Sequence, residues 1–133
     1  MFSAVVHDLS QSVAAARAAA TSGKMITVRS APGVGRGLGV AGWLALVKLT
    51  RQKVPSANVV FTFDPGDWPG DAYAAIAEGA EQIALAQSSA SNRLLELAKQ
   101  EGVKIDDRDA DIDLAFHHDP EEACNRLLLT TKS

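Results

Sequence analysis

The sequence predicts an α/β domain built on a mostly parallel, five-stranded sheet, because short apolar runs alternate with amphipathic stretches along the whole chain. Parallel strands need long crossovers, and helices supply them. The 133 residues suit a single domain spanning 1–133, and the hydrophobic fraction of 47% is ordinary for a globular protein. The predicted strands cover residues 5–6, 25–28, 58–63, 83–85 and 103–105.

The third predicted strand decides the expected topology. Residues 58–63 form the most continuously apolar run, which is typical of a strand that is buried on both faces and therefore interior to the sheet. Two strand orders keep it there: the flavodoxin-like order 2-1-3-4-5 and the order 1-2-3-4-5 of a partial βα barrel. We favour the first, since an open sheet leaves no unclosed barrel wall, and we expect one three-layer α/β/α domain.

Start and stop signals delimit the helices. Asp8 is expected to cap the first helix, with Gln11 in the capping-box position and Gly23 as the stop. The second helix follows a glycine-rich loop and closes at Pro55. The third and fourth helices are expected at about residues 71–78 and 89–100.

The segment 106–119 has the least regular pattern. Its first half is acidic, which predicts a solvated stretch. Every second residue from Ile112 to Phe116 is apolar, which indicates a short edge strand. Asp119 followed by Pro120 then marks the start of the last helix, with a capping side chain and a proline in the first turn.

Charge and composition exclude several classes of partner. The net charge of −3 and the absence of a basic stripe argue against nucleic acid. No run approaches the roughly 20 apolar residues of a membrane span, and the N-terminus has the pattern of a first strand, so we expect a cytoplasmic protein that binds no membrane. The single cysteine, Cys124, is expected to be a small buried hydrophobe. Three leucines at 127–129 exceed one buried helical stripe, which predicts a homodimer.

A loop rich in glycine follows the second strand and leads into a helix. Backbone amides at a helix N-terminus bind anions, and arginines add charge-assisted contacts to phosphate or carboxylate. We therefore identify this loop as a candidate anion site. Its candidate ligand-binding residues are Arg29, Ser30, Gly33, Gly35, Arg36 and Gly37.

The loop matches neither of the named phosphate-binding motifs. The dinucleotide fingerprint requires a glycine where Leu38 or Val40 stands, and the P-loop requires a lysine and a hydroxyl residue after its last glycine. The alternative interpretation is a flexible loop whose glycines serve its turns.

A second candidate follows the third strand, where Asp64 precedes Asp67 and Asp71. Active-site acids of α/β proteins often lie at the carboxyl end of a central strand. Asp64 and Asp67 are therefore candidate ligand-binding residues, with Asp64 orienting the site or holding a metal. The structural alternative is an Asx turn at Asp64 before Pro65, with one of the later aspartates capping the third helix.

The histidines offer a third candidate. His7 follows the first strand on the same expected edge, where it would act in ligand binding or as a general base, or else form a local hydrogen bond. His117 and His118 are adjacent, so on a strand they would point to opposite faces and form a poor metal-ligand pair. We predict no metal site, and the sequence identifies neither a cofactor nor a catalytic residue.

The runs ITVRSAPG (26–33), DPGD (64–67) and AEGA (77–80) resemble small bacterial α/β proteins of unknown function. The run AAIAEGA (74–80) also resembles the helix-to-strand joints of TIM-barrel enzymes. This resemblance implies an α/β fold and brings no activity with it. Two functions follow as expectations: binding of an anionic or phosphorylated small molecule at the carboxyl edge of the sheet, or a non-catalytic interaction or regulatory module.

Overall fold

The computed structural model describes residues 2–85 and 92–130. Its strands in these ranges are β1 (Phe2–Val6), β2 (Ile26–Ser30), β3 (Val59–Phe63), β4 (Gln82–Ala84), β5 (Lys104–Asp106) and β6 (Ile112–Asp113). Its α-helices are α1 (Leu9–Ser22), α2 (Gly39–Lys53), α3 (Pro69–Glu78), α4 (Asn92–Gln100) and α5 (Pro120–Thr130). Short 3₁₀ turns cover Val34–Arg36 and Leu114–Phe116.

All described strands join one parallel sheet in the order β5-β4-β3-β2-β1-β6. The predicted class, an α/β domain on an open parallel sheet, is confirmed, and β3 is interior as expected. The favoured order 2-1-3-4-5 is wrong, because β1, β2 and β3 are direct neighbours as in the alternative order. The predicted strand count of five is also wrong, since β6 adds a sixth strand beside β1.

The link from β5 to β6 shows that the sheet is curved. β5 and β6 lie at opposite edges of the sheet. In a flat sheet, the gaps between neighbouring strands would add up to a distance of about 24 Å between them. The chain from Asp106 to Ile112 reaches about 22 Å at most. The edges therefore curl towards each other, and residues 107–111, which we call the strap, cross the concave side. The Arg29 side chain donates a hydrogen bond to the Arg108 carbonyl in the middle of the strap.

The alternation of side chains gives the two sheet faces different characters. Phe2, Ala4 and Val6 belong to the main hydrophobic core, which also receives side chains from α1 to α5. The pairing register places Ser3 beside Thr27 on the other face, and Val5 beside Arg29. The concave face is therefore polar, with its charged residues at the carboxyl end.

The predicted helix signals are largely confirmed. The Asp8 carboxylate accepts a hydrogen bond from the Gln11 amide at 2.8 Å, and α1 ends at Gly23 in the left-handed conformation. The Gln11 side chain accepts from the His7 amide at 2.9 Å, so it supports the residue before the cap rather than the cap itself. The expected start of the fourth helix near residue 89 lies outside the described residues.

The tail contains the predicted edge strand in a shorter form. The strand ends at Asp113 because the carboxylate of that residue accepts from the Ala115 amide at 2.9 Å and turns the chain. The acidic stretch before it is not simply solvated, since Asp111 exchanges two hydrogen bonds with the main chain of Ser3. The Asp119 carboxylate accepts from the Glu122 amide at 3.1 Å, which confirms the predicted start of α5.

Cys124 is fully buried in the core, as predicted. Burial, with a smaller contribution from Glu121, raises the pKa of the thiol to about 11, so it stays protonated at neutral pH. No helix within the described ranges combines the length and the apolar character needed to cross a membrane.

Candidate functional site

The two loops singled out in the sequence are in contact at the carboxyl edge of the sheet. The Gly33 amide donates to the Asp64 carbonyl at 3.1 Å. Gly66 approaches so closely that a Cβ atom there would lie 2.9 Å from the Gly33 nitrogen. The loops meet because they follow β2 and β3, which are neighbours. The expected order 2-1-3 would have placed β1, and with it His7, between the two loops, whereas in the observed order β2 and β3 are neighbours and His7 lies to one side.

Asp64 connects these loops through both its main chain and its carboxylate. Its amide donates to Ser30 Oγ at 2.8 Å, and one carboxylate oxygen accepts from the Gly66 amide at 2.9 Å. This second bond confirms the Asx-turn interpretation. The other carboxylate oxygen pairs with Arg29 Nη2 at 3.0 Å, and the two side chains are only 12% and 15% exposed.

The Arg29 guanidinium donates its hydrogen bonds to acceptors within the protein. One guanidinium nitrogen binds Asp64 and another donates to the carbonyl of Arg108 in the strap. Arg108 in turn lies beside the buried carboxylate of Asp106, with Nε and Oδ1 3.5 Å apart. Arg29 is therefore a buried link between the Asp64 loop and the strap, with its charge balanced by a carboxylate.

The glycine-rich loop is a packed turn. Gly33 adopts a left-handed conformation, and the next residues form a 3₁₀ turn in which the amides of Arg36, Gly37 and Leu38 donate to carbonyls within the loop. Gly35 lies directly against the Asp71 carboxylate, where a Cβ atom would fall inside van der Waals contact. Several amides expected to cradle an anion are thus already used within the loop.

Of the two candidate arginines, Arg36 is the more accessible. Its Nε donates to Asp71 at 2.9 Å and its Nη2 also pairs with that carboxylate, while the guanidinium lies 4.7 Å from the centroid of the Trp68 ring. The Arg36 side chain is 52% exposed. Its Nη1 has no hydrogen-bond partner among residues 2–85 and 92–130. Asp71 itself is buried in the first turn of α3 and does not cap that helix.

A cleft of about 210 Å³ is lined in part by Trp68, the ring that the Arg36 guanidinium contacts. We call it the Trp68 cleft; Gly66, Asp67, Trp68, Pro69, Ala72, Leu85 and Leu94 line it. No side chain caps α2 or α3, whereas Asp8 caps α1 and Asp119 lies at the start of α5. The helices that follow the two loops therefore present uncapped N-termini at the edge where the cleft lies.

His7 has a partner that the sequence did not reveal. Its Nε2 lies 2.7 Å from Asp113 Oδ1, and both side chains are about one-third exposed. The pair joins the ends of β1 and β6. His117 and His118 do not join it. Within the described ranges, no group of three or more histidine, cysteine or acidic side chains has an arrangement that could hold a metal ion.

No protein-family model matches the chain, and a search of curated proteins finds no relative. The resemblance to small bacterial α/β proteins therefore stays a prediction.

Sequence reasoning missed several residues of this edge. Asp106 lies at the carboxyl end of β5, and Asp64 lies at the carboxyl end of β3. An aspartate at the end of a predicted strand was therefore the signal that could have identified Asp106. Nothing local marks Asp113 as the partner of His7, since the two are 106 residues apart. Leu85 and Leu94 line the cleft from beyond β4 and from α4, which only the fold brings to the Trp68 loop.

Proposed function

We propose that the carboxyl edge of the sheet binds a small anionic molecule, with its apolar part in the Trp68 cleft and its phosphate or carboxylate group on Arg36. The observation that carries this proposal is the half-exposed guanidinium of Arg36, which Asp71 holds in place over Trp68, a residue that lines the cleft. Its Nη1 has no hydrogen-bond partner among the residues that the structure describes. A positioned arginine with unused donors recognises phosphate or carboxylate.

The surroundings of Arg36 support an anionic ligand of mixed character. The N-termini of α2 and α3, which lack a side-chain cap, add positive potential at this edge. The half-exposed Trp68 offers apolar surface for a ring or a short hydrocarbon, and the buried side chains of Leu85 and Leu94 also line the cleft. Asp67 at the cleft wall disfavours a second negative group there, which favours a ligand with one charged end.

The other predicted site residues take supporting roles in this proposal. Arg29, Ser30 and Asp64 fix the two loops relative to each other. Gly35 allows the close approach of Asp71, which holds Arg36, and Gly33 supplies the left-handed conformation that starts the turn. Gly37 lies in the exposed end of the turn. His7 lies outside the Trp68 cleft.

Phenyl phosphate is the probe that tests both halves of the site. We expect Arg36→Ala to weaken its binding by about 1.5–3 kcal/mol, the usual contribution of a hydrogen bond to a charged group. Isothermal titration measures this loss, and comparison with inorganic phosphate and with phenol separates the charged contribution from the apolar one. A ligand that binds only the folded protein also raises its melting temperature.

Arg51→Ala is the matched control, because Arg51 also pairs with a carboxylate, that of Glu81, and also lies over an aromatic ring, that of Phe61. It should leave phenyl phosphate binding unchanged. Since Arg36→Ala leaves the Asp71 carboxylate unpaired, the double variant with Asp71→Ala is measured as well. Unchanged affinity in both Arg36 variants contradicts the proposal.

A homodimer is the second candidate function, and one exposed side chain favours it. Of the three leucines at 127–129, Leu128 is buried, whereas Leu129 is 82% exposed. We expect sedimentation to detect a dimer that Leu129→Glu dissociates, because a charge in an apolar interface is costly. A monomer at high protein concentration contradicts this expectation.

As part of the same proposal, we place the protein in the cytoplasm without a nucleic-acid partner, in line with its net charge of −3.

A further inference from the structure

The His7–Asp113 pair has the features of a positioned acid–base group. Asp113 Oδ1 accepts from His7 Nε2 at 2.7 Å and from the Ala115 amide at 2.9 Å, so the carboxylate is itself held in place. The main chain of His7 is fixed by the Gln11 side chain. The imidazole therefore has a defined orientation at the end of β1.

The carboxylate also decides which imidazole nitrogen is basic. Asp113 can only accept a hydrogen bond when ionised, so the neutral His7 ring must carry its proton on Nε2. The lone pair then lies on Nδ1, which has no hydrogen-bond partner in the part of the chain that the structure describes. Because the His7 side chain is 38% exposed, Nδ1 has a route to solvent and to small molecules.

The position of the pair in the sheet is that of reactive groups in parallel α/β folds. It lies at the carboxyl end of β1 and β6, where loops after the strands form ligand sites. The register pairs Val5 with Arg29 and with Asp113, which places these side chains on the concave face. The dyad is separate from the Trp68 cleft, and its chemistry does not depend on what the cleft binds.

We propose that His7 and Asp113 form a proton-transfer dyad for hydrolysis of small acyl esters, in which Nδ1 of His7 is the general base. Nδ1 takes a proton from water as the water oxygen bonds to the ester carbonyl carbon. The ester C–O bond then breaks and the alcohol leaves with the electron pair as an alkoxide or phenolate. The imidazolium, stabilised by the Asp113 carboxylate, returns the proton to the leaving oxygen or to solvent.

Hydrolysis of p-nitrophenyl acetate by the full chain tests this dyad, with released p-nitrophenolate as the readout. We expect His7→Ala to remove most of the protein-catalysed rate, and Asp113→Asn to lower it at least about tenfold, because a positioned base contributes about 100- to 10,000-fold. Asp113→Glu, which keeps the carboxylate, should retain more of the rate than Asp113→Asn. The wild-type rate should fall in D₂O, since a proton moves in the slow step.

The other two histidines provide internal controls. The variant with both His117→Ala and His118→Ala should keep the wild-type rate, because neither side chain pairs with a carboxylate of the described residues. Thermal unfolding of each variant separates lost chemistry from lost folding. The proposal is overturned if the wild-type protein hydrolyses the ester no faster than buffer, or if folded His7→Ala keeps the wild-type rate. It is also overturned if the variant that lacks both His117 and His118 loses that rate.

Discussion

Asp64→Ala should lower the free energy of unfolding by about 3–5 kcal/mol, the usual cost of breaking a buried ion pair by removing one partner. Asp64 is 12% exposed and pairs with Arg29, which is 15% exposed, so the substitution leaves a nearly buried guanidinium without its counter-charge. It also removes the carboxylate oxygen that accepts from the Gly66 amide. Urea unfolding followed by circular dichroism measures the change.

Asp67→Ala in the same loop is the control for this prediction. Asp67 is exposed, so its removal should change the free energy of unfolding by less than about 0.5 kcal/mol. A loss below about 1 kcal/mol for Asp64→Ala would show that the Arg29–Asp64 pair is replaceable by solvent. The connection between the two loops would then depend on their main-chain contacts and on the Ser30 hydroxyl.

Arg29 has a structural charge, whereas the charge of Arg36 is available to a ligand. Arg29 and Arg36 are both paired with aspartate, but their side chains are 15% and 52% exposed respectively. Arg29 has a second internal acceptor in the Arg108 carbonyl, whereas Nη1 of Arg36 has no acceptor among the described residues. A composition-based argument counts both as positive groups, yet only Arg36 can meet an anion without releasing a buried contact.

The sequence was sufficient to predict the fold class and the strand positions, because local apolar runs and turn residues determine both. Residues 59–63 of β3 are apolar enough to predict an interior strand, and the structure places β3 between β2 and β4. Strand order could not be obtained in this way. The orders 2-1-3-4-5 and 1-2-3-4-5 need the same local pattern, and they differ only in which strands hydrogen-bond.

The sequence was sufficient to predict where the candidate site lies, but not which of its side chains form ion pairs. Alternating glycines indicate a special loop, but the partner of Arg36 is 35 residues away at Asp71. The same holds for His7, whose partner Asp113 lies on the expected short edge strand, because the sequence did not indicate that this strand pairs with β1. Ion pairs between distant segments depend on the fold, and no spacing rule along the chain encodes them.

Gly66→Ala should lower the free energy of unfolding by about 2–5 kcal/mol. Gly66 has a φ of 59°, and a left-handed conformation costs other residues about 1–2 kcal/mol. The added Cβ would also lie 2.9 Å from the Gly33 nitrogen, a backbone atom held by its bond to Asp64, and such overpacking costs about 1–3 kcal/mol. Urea unfolding measures the loss.

Gly70→Ala is the matched control, because a Cβ atom there meets nothing within 4 Å. Since Gly70 lies in α3, this substitution should raise the free energy of unfolding by up to about 1 kcal/mol. Equal effects of the two substitutions would contradict the close contact between the loops.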